Sequence, residues 1–179
     1  PIKCDSVRAV RNSEFKLDNI DNITVTQLLA VSGVNMPPML SIFQEVRDNN
    51  LAAVTQIIST SPHLVHARDE EDSTPLHESA FYGFQDLCSL LLRHGAEVDA
   101  VDPVYGTSLM FAVQKNHGDV CNILLSHGAN VNYIKPSDGF TPLQMAVQDG
   151  YLDLCDLLIS HNSDVNGVQG DGSGLTPLH

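Results

Sequence analysis

The chain repeats itself, and this constrains its fold more than any other feature. Thr74-Pro75-Leu76-His77 recurs as Thr107-Ser108-Leu109-Met110, Thr141-Pro142-Leu143-Gln144 and Thr176-Pro177-Leu178-His179, at offsets of 33, 34 and 35 residues. A second marker keeps step: His94-Gly95-Ala96-Glu97-Val98-Asp99, His127-Gly128-Ala129-Asn130-Val131-Asn132 and His161-Asn162-Ser163-Asp164-Val165-Asn166. Between them stand Asp86-Leu87-Cys88, Asp119-Val120-Cys121 and Asp153-Leu154-Cys155, followed by Leu90-Leu91-Leu92, Ile123-Leu124-Leu125 and Leu157-Leu158-Ile159. Two independent markers on one period describe a stack of similar units, each burying its apolar face on its neighbours.

Local chemistry predicts what one unit looks like. The Thr of the first marker stands where a helix N-cap belongs, and Pro at the next position suits a first helical residue, having a fixed φ and no N–H to satisfy. Thr74 therefore opens a short helix that stops near Gly83. A second helix is predicted over residues 85–94, ended by Gly95 in the left-handed conformation favoured at helix ends. Val98, Val131 and Val165 then lead into an extended, turn-rich connection to the next Thr. The unit reads helix, turn, helix, loop.

These motifs resemble those of ankyrin repeats, whose units run about 33 residues and open on Thr-Pro-Leu-His. The resemblance covers roughly residues 39–179 and implies an all-α solenoid of stacked helix-turn-helix units with β-turn or hairpin finger loops. Units are expected at 73–105, 106–139 and 140–174, with the opening of another at 175–179. Shifting the first clear unit back by 33 places Phe43 under Leu76, Val54 under Leu87 and Ile57-Ile58 under Leu90-Leu91. Apolar positions agree there while the Thr-Pro and Gly-Ala markers are missing, as expected of a divergent cap at 39–72. Residues 1–38 do not fit the period. A short helix is predicted over residues 22–30, and the Pro37-Pro38 pair marks a boundary. This flank either lies against the first unit or ends a different upstream domain. The absence of an initial Met and the truncated last unit both suggest a piece of a longer chain.

Charge narrows the partner. Residues 1–21 carry four basic and four acidic side chains, and residues 22–179 carry five and eighteen, so the whole net charge of -13 lies on the repeats. Nucleic acid and anionic membrane call for clustered Lys and Arg, so neither is expected as a partner. No run of 18 apolar residues and no signal segment is visible.

The cysteines Cys88, Cys121 and Cys155 occupy equivalent positions in successive second helices. Neighbouring helices pack about 8–10 Å apart, whereas a disulfide needs Cα atoms within about 7 Å. Free, buried thiols and an intracellular location follow; Cys4 stands alone. No CxxC or closely spaced His pair suggests a metal. His77, His94, His117, His127, His161 and His179 recur with the repeat and are expected to hydrogen-bond within and between units. Asn22-Ile23-Thr24 fits a glycosylation acceptor, but free thiols argue against the secretory route. The Gly170-Asp171-Gly172-Ser173-Gly174 stretch lacks the Lys and strand of a phosphate loop. No catalytic set, cofactor or metal is expected within these residues.

What remains is a binding surface. In ankyrin arrays first helices line a concave palm, second helices form the back and the loops project as fingers. The resemblance thus implies palm positions at Glu78, Phe81, Tyr82, Phe111, Gln114, Lys115, Met145, Gln148 and Asp149. Finger positions are Asp69, Glu70, Glu71, Asp72, Asp102, Tyr105 and Phe140. Phe81, Tyr82 and Tyr105 stand out, because aromatic anchors bury large area at small entropy cost; Phe81 and Phe111 have the second reading of packing between repeats. The acidic finger either steers a Lys/Arg-bearing partner or simply solubilises the array. The resemblance also makes Asn166, and less well Asn132, candidates for asparaginyl hydroxylation. Two functional classes stay open. One is a noncatalytic, monomeric protein-binding module of an intracellular scaffold or adaptor. The other is the recognition arm of a larger enzyme, ubiquitin ligase or channel.

Overall fold

The computed structural model describes residues 38–166. Four helix pairs follow one another: α1 (Pro38–Arg47) with α2 (Leu51–Thr60), α3 (Pro75–Tyr82) with α4 (Gln85–Arg93), α5 (Ser108–Gln114) with α6 (Gly118–Ser126), and α7 (Pro142–Gln148) with α8 (Leu152–Ser160). A 3-10 turn, Pro62–His66, follows α2. Each helix packs on its pair partner and on the corresponding helix of the adjacent unit, so first helices stack on first and second on second. The strands are β1 (Val101–Asp102) and β2 (Gly106–Thr107), an antiparallel ladder with Val101 opposite Thr107 and Asp102 opposite Gly106. The array is the all-α solenoid expected from the repeat. The helix predicted over residues 22–30, the 170–174 turn and the last Thr-Pro-Leu-His lie outside the described residues.

The first marker works as a capping box. Thr74 Oγ1 accepts the His77 N–H at 3.4 Å, and the Thr74 N–H donates back to His77 Nδ1 at 3.0 Å. Thr141 and Gln144 repeat the arrangement at 3.3 and 2.9 Å. The middle unit departs from it. Met110 stands where His77 and Gln144 stand and has no acceptor to return, and Thr107 makes no side-chain cap bond. The hydroxyls of Thr107 and Ser108 are buried there without a hydrogen-bond partner.

His77 is fully buried, and its bonds fix its tautomer. Nδ1 accepts from Thr74, so the proton sits on Nε2 and is donated to the Ala100 carbonyl at 2.9 Å. Burial, the largest influence, pushes the imidazole below its ordinary pKa against the pull of Asp102. Below about pH 6.5 the unfolded chain takes up a proton at this position more readily than the folded one, so stability falls as the pH drops from there toward the lower folded-state value, by up to about 1.4 kcal/mol per unit. In His77→Gln the cap persists, as Gln144 demonstrates, and this slope disappears. Urea melts at pH 7 and pH 5 check it; equal losses in wild type and variant would overturn the assignment.

The second helices α4, α6 and α8 end alike. Gly95 and Gly128 adopt φ of 86° and 87°, and Asn162 takes the same left-handed place at 64°. At the turn after α3 the requirement is stricter. Gly83 has φ 76°, and a Cβ on it would lie 2.8 Å from the His117 ring, whose Nε2 reaches the Phe81 carbonyl at 3.1 Å. The core runs as rows through the stack: Leu76, Leu109, Leu143 under the first helices and Leu91, Leu124, Leu158 under the second. Side chains also bridge units at the backbone. Asp99 Oδ1 accepts the Asn130 N–H at 2.9 Å, and one unit on Asn132 Oδ1 accepts the Asp164 N–H at 2.8 Å.

Cys88, Cys121 and Cys155 are free thiols, the first two buried. Burial pushes Cys88 up to about 11 and Cys121 up to about 12, and Cys88 Sγ donates to Ser79 Oγ at 3.2 Å. Cys155 is half-buried. Since the thiolate is the reactive form, alkylation of the folded protein is expected to be at least about tenfold faster at Cys155 than at Cys88 or Cys121. Peptide mapping after brief treatment with iodoacetamide measures this; equal rates would mean the thiol row is open to solvent.

Candidate protein-binding face

The exposed edge of α3 carries an acid and two aromatic rings. Glu78 is held by Arg47 of α1 in a two-pronged pair, Nη2 to Oε1 at 2.9 Å and Nε to Oε2 at 3.1 Å, and Arg47 also lies 3.5 Å from Asp69. Phe81, one turn on, is half-buried, and Lys115 Nζ sits 4.4 Å from its ring centroid. Tyr82 is 43% exposed, meets Phe81 edge-on at 5.1 Å and stacks on Phe84 at 5.5 Å. Aromatic pairs at these separations are attractive beyond the area they bury, which fixes the rings relative to one another.

Phe111, expected in the palm, is buried in this structure. It is 6% exposed, closed in by His77 at 5.2 Å, Tyr105 at 5.2 Å and Phe81 at 6.2 Å. Glu78 and Met145, the residues at its repeat position, stay half-buried. Tyr105 of the second finger and Phe81 of α3 close over Phe111, and neither contact follows from its place in the period. Gln114 is half-buried, and Lys115, Gln148 and Asp149 are exposed.

The fingers differ from one another. In the first, Glu70, Glu71 and Asp72 are exposed, and Asp72 pairs with Arg68 at 3.4 Å. Asp69 Oδ1 accepts the Ser73 and Glu71 N–H groups at 2.9 and 3.1 Å, which shapes the turn. Asp102, expected at the surface of the second finger, lies inside it at 2% exposure. Its Oδ1 accepts the Val104 and Tyr105 N–H groups at 2.7 and 2.8 Å, and its Oδ2 accepts the Ser73 hydroxyl. Burial pushes this carboxyl up, but the hydrogen bonds from Ser73 and the two amides outweigh it and hold the group below the usual carboxylate range. In the third finger Lys135 pairs with Asp138 at 2.7 Å, and Phe140 is half-buried.

Comparison with known proteins agrees with this geometry. A model for ankyrin repeats in three copies matches residues 42–135, and a single ankyrin repeat model matches residues 138–169. The chain belongs to the ankyrin repeat family. Serine/threonine-protein kinase VIK of Arabidopsis thaliana is 36% identical over 87 residues, covering 43% of this chain and 20% of the kinase. Ankyrin repeat domain-containing protein 49 of Bos taurus is 42% identical over 53 residues, 30% of this chain and 22% of that protein. Its Homo sapiens counterpart is 40% identical over the same length. The chain thus spans about a fifth of these relatives.

Within the ankyrin array Asn132 and Asn166 are both exposed, and Asn132 forms an inter-unit bridge. Asn132 commits both ends of its carboxamide, Oδ1 to the Asp164 N–H and Nδ2 to the Asn162 carbonyl at 3.3 Å. Asn166 donates its N–H to Asp164 Oδ1 at 2.9 Å. Among the described residues no group of three or more His, Cys, Asp or Glu side chains could hold a metal, and no helix is long and apolar enough to cross a membrane.

Exposed apolar residues on the fingers escaped the sequence reading. Val101, Val104 (55% exposed) and Ile134 flank Tyr105 or stand one unit along. Val101 and Ile134 are 33 residues apart, so the period could have paired them. Their exposure could not be read, because a lone apolar residue in a connecting segment more often faces inward.

Proposed function

We propose that the chain is a noncatalytic protein-binding module of an intracellular scaffold or adaptor, engaging its partner through the palm of its first helices and its fingers. Ankyrin repeats are in general protein-interaction modules, and the observation that carries this reading is the continuous run of rings Phe84, Tyr82, Phe81, Phe111 and Tyr105 from the turn after α3 to the second finger. Tyr82 near one end of the run and Tyr105 at the other are exposed. Glu78, Gln114, Lys115, Met145, Gln148 and Asp149 complete the palm, and Asp69, Glu70, Glu71, Asp72 and Phe140 the fingers. The exposed acids favour a partner with a basic segment. Residues 39–72 are read as the capping unit of this module.

Affinity pulldown with wild type and Phe81→Ala/Tyr82→Ala tests the palm: loss of the bound proteins is expected, and retention of the same set would overturn it. Truncating aromatic anchors commonly costs about 2 kcal/mol or more each, a factor of roughly thirty in affinity. Binding indifferent to ionic strength would remove the basic-segment reading. The similarity to a serine/threonine-protein kinase supports a second reading, in which the module is the recognition arm of a larger enzyme; a catalytic domain in the full-length parent would decide for it. Hydroxylation at Asn166 or Asn132 is tested by a mass gain of one oxygen on the corresponding peptide.

A further inference from the structure

The edge of α3 receives a positive charge from each neighbouring unit. Arg47, from the unit before, takes Glu78, and Lys115, from the unit after, lies over Phe81. The two contacts differ in how firmly they are made. Arg47 is anchored by two hydrogen bonds to one carboxylate and is close to a second, a geometry that fixes a guanidinium. Lys115 is exposed, makes no ion pair among the described residues, and presents its ammonium to the ring face. A contact of this kind is weak and exchangeable: an ammonium over a ring at an exposed site gains about 0.5–1 kcal/mol.

We propose that the Phe81 ring, bordered by Tyr82, is a seat for a Lys or Arg side chain of the partner protein, and that Lys115 occupies it in the free protein as a built-in competitor. This rests on the palm reading above and states its chemistry. The seat holds an ammonium in this structure, which shows what the ring face accepts. The surroundings favour the same sign: the repeats carry the whole net charge of -13, and Glu70, Glu71 and Asp72 stand exposed on the first finger, only Asp72 of the three being paired with a cation. A basic segment crossing from that finger to the palm gains from the acids and exchanges its own cation for Lys115 on the ring. An acidic segment would use Lys115 as its anchor instead. The two partner classes therefore predict opposite signs for one substitution.

The test uses a random peptide display library selected on the folded wild-type protein, followed by affinities of one recovered synthetic peptide for wild type, Lys115→Gln, Phe81→Leu and the double variant. Circular dichroism and thermal melts first establish that all four fold. Recovered peptides are expected to carry Lys or Arg. Lys115→Gln should bind roughly two- to fivefold more tightly, because the competing cation is gone, and Phe81→Leu should bind weaker by a similar factor. In the double variant the gain from Lys115→Gln should vanish, since no seat remains to be freed. Peptides without basic residues, unchanged or weaker binding by Lys115→Gln, a gain that persists without Phe81, or recovery of no peptide at all would each overturn the cation seat. If the peptides lack basic residues yet lose binding in Phe81→Ala/Tyr82→Ala, the palm reading stands and only the seat falls. Binding indifferent to both aromatic residues removes the two together.

Discussion

Leu124→Ala is expected to destabilise the array by about 3–4 kcal/mol, among the largest effects of any single truncation. Leu124 has no exposed surface, and its helix α6 packs against α4 on one side, α8 on the other and α5 within its own unit. The lost methyl groups therefore open a void where three helices meet, and the stack has no loose neighbour there to collapse into it. In a linear array stability is the sum of unit and interface contributions, so a defect in an interior unit weakens two interfaces at once. The matched control is Leu158→Ala in α8, beside which Ile159 is exposed and Cys155 only half-buried. Its loss should be smaller by about 1 kcal/mol or more, because these partly exposed neighbours can relax into the void. Urea unfolding of both variants measures the difference. A Leu124→Ala loss below about 1 kcal/mol, typical of surface positions, would mean the interior of the array is not close-packed.

The second large effect belongs to Asp102. Asp102→Ala leaves two backbone amides and the Ser73 hydroxyl without their acceptor inside the finger, at a cost of about 3 kcal/mol. Asp102→Asn keeps the oxygen that Val104 and Tyr105 use and should lose about half as much. The carboxyl is held below its ordinary range, so its stabilising contribution is present above about pH 3.9 and is lost as the pH falls through the lower folded-state value. Acid unfolding of the wild type should therefore show two stages: one below about pH 6.5 from His77, and one below about pH 3.9 in which Asp102 takes part. His77→Gln removes the first, and Asp102→Asn diminishes the second. A wild-type profile with no loss of stability between pH 6.5 and 4 would contradict the buried, neutral state of His77.

The helices were legible because their signals are local. Thr74-Pro75 fixes the start of α3, and Gly83 and Gly95 mark the ends of α3 and α4, each through the conformation of a few adjacent residues. The period then carried these boundaries along the chain, even to Asn162, which replaces Gly but accepts the same left-handed turn. The fingers were harder because their contacts cross units. Asp69 and Asp102 are the same residue type at the same repeat position. One is half-exposed and the other is buried, because Ser73 and the turn through Tyr105 enclose only the second. Phe111 is buried for a similar reason, under rings contributed by a finger and by the preceding unit. Arg47 showed no motif at all, and its role emerges only where α1 and α3 lie side by side.

The bridges from Asp99 to the Asn130 amide and from Asn132 to the Asp164 amide join the second unit to the third and the third to the fourth, through a side chain on one side and a main-chain N–H on the other. The receiving unit supplies nothing that its own side chains encode. A duplicated, deleted or transplanted unit finds the same connector waiting, provided that Asp or Asn is kept at one position. Such an array can lengthen or shorten by whole units, and its exposed side chains can diverge for new partners, without renegotiating the joints that hold it together.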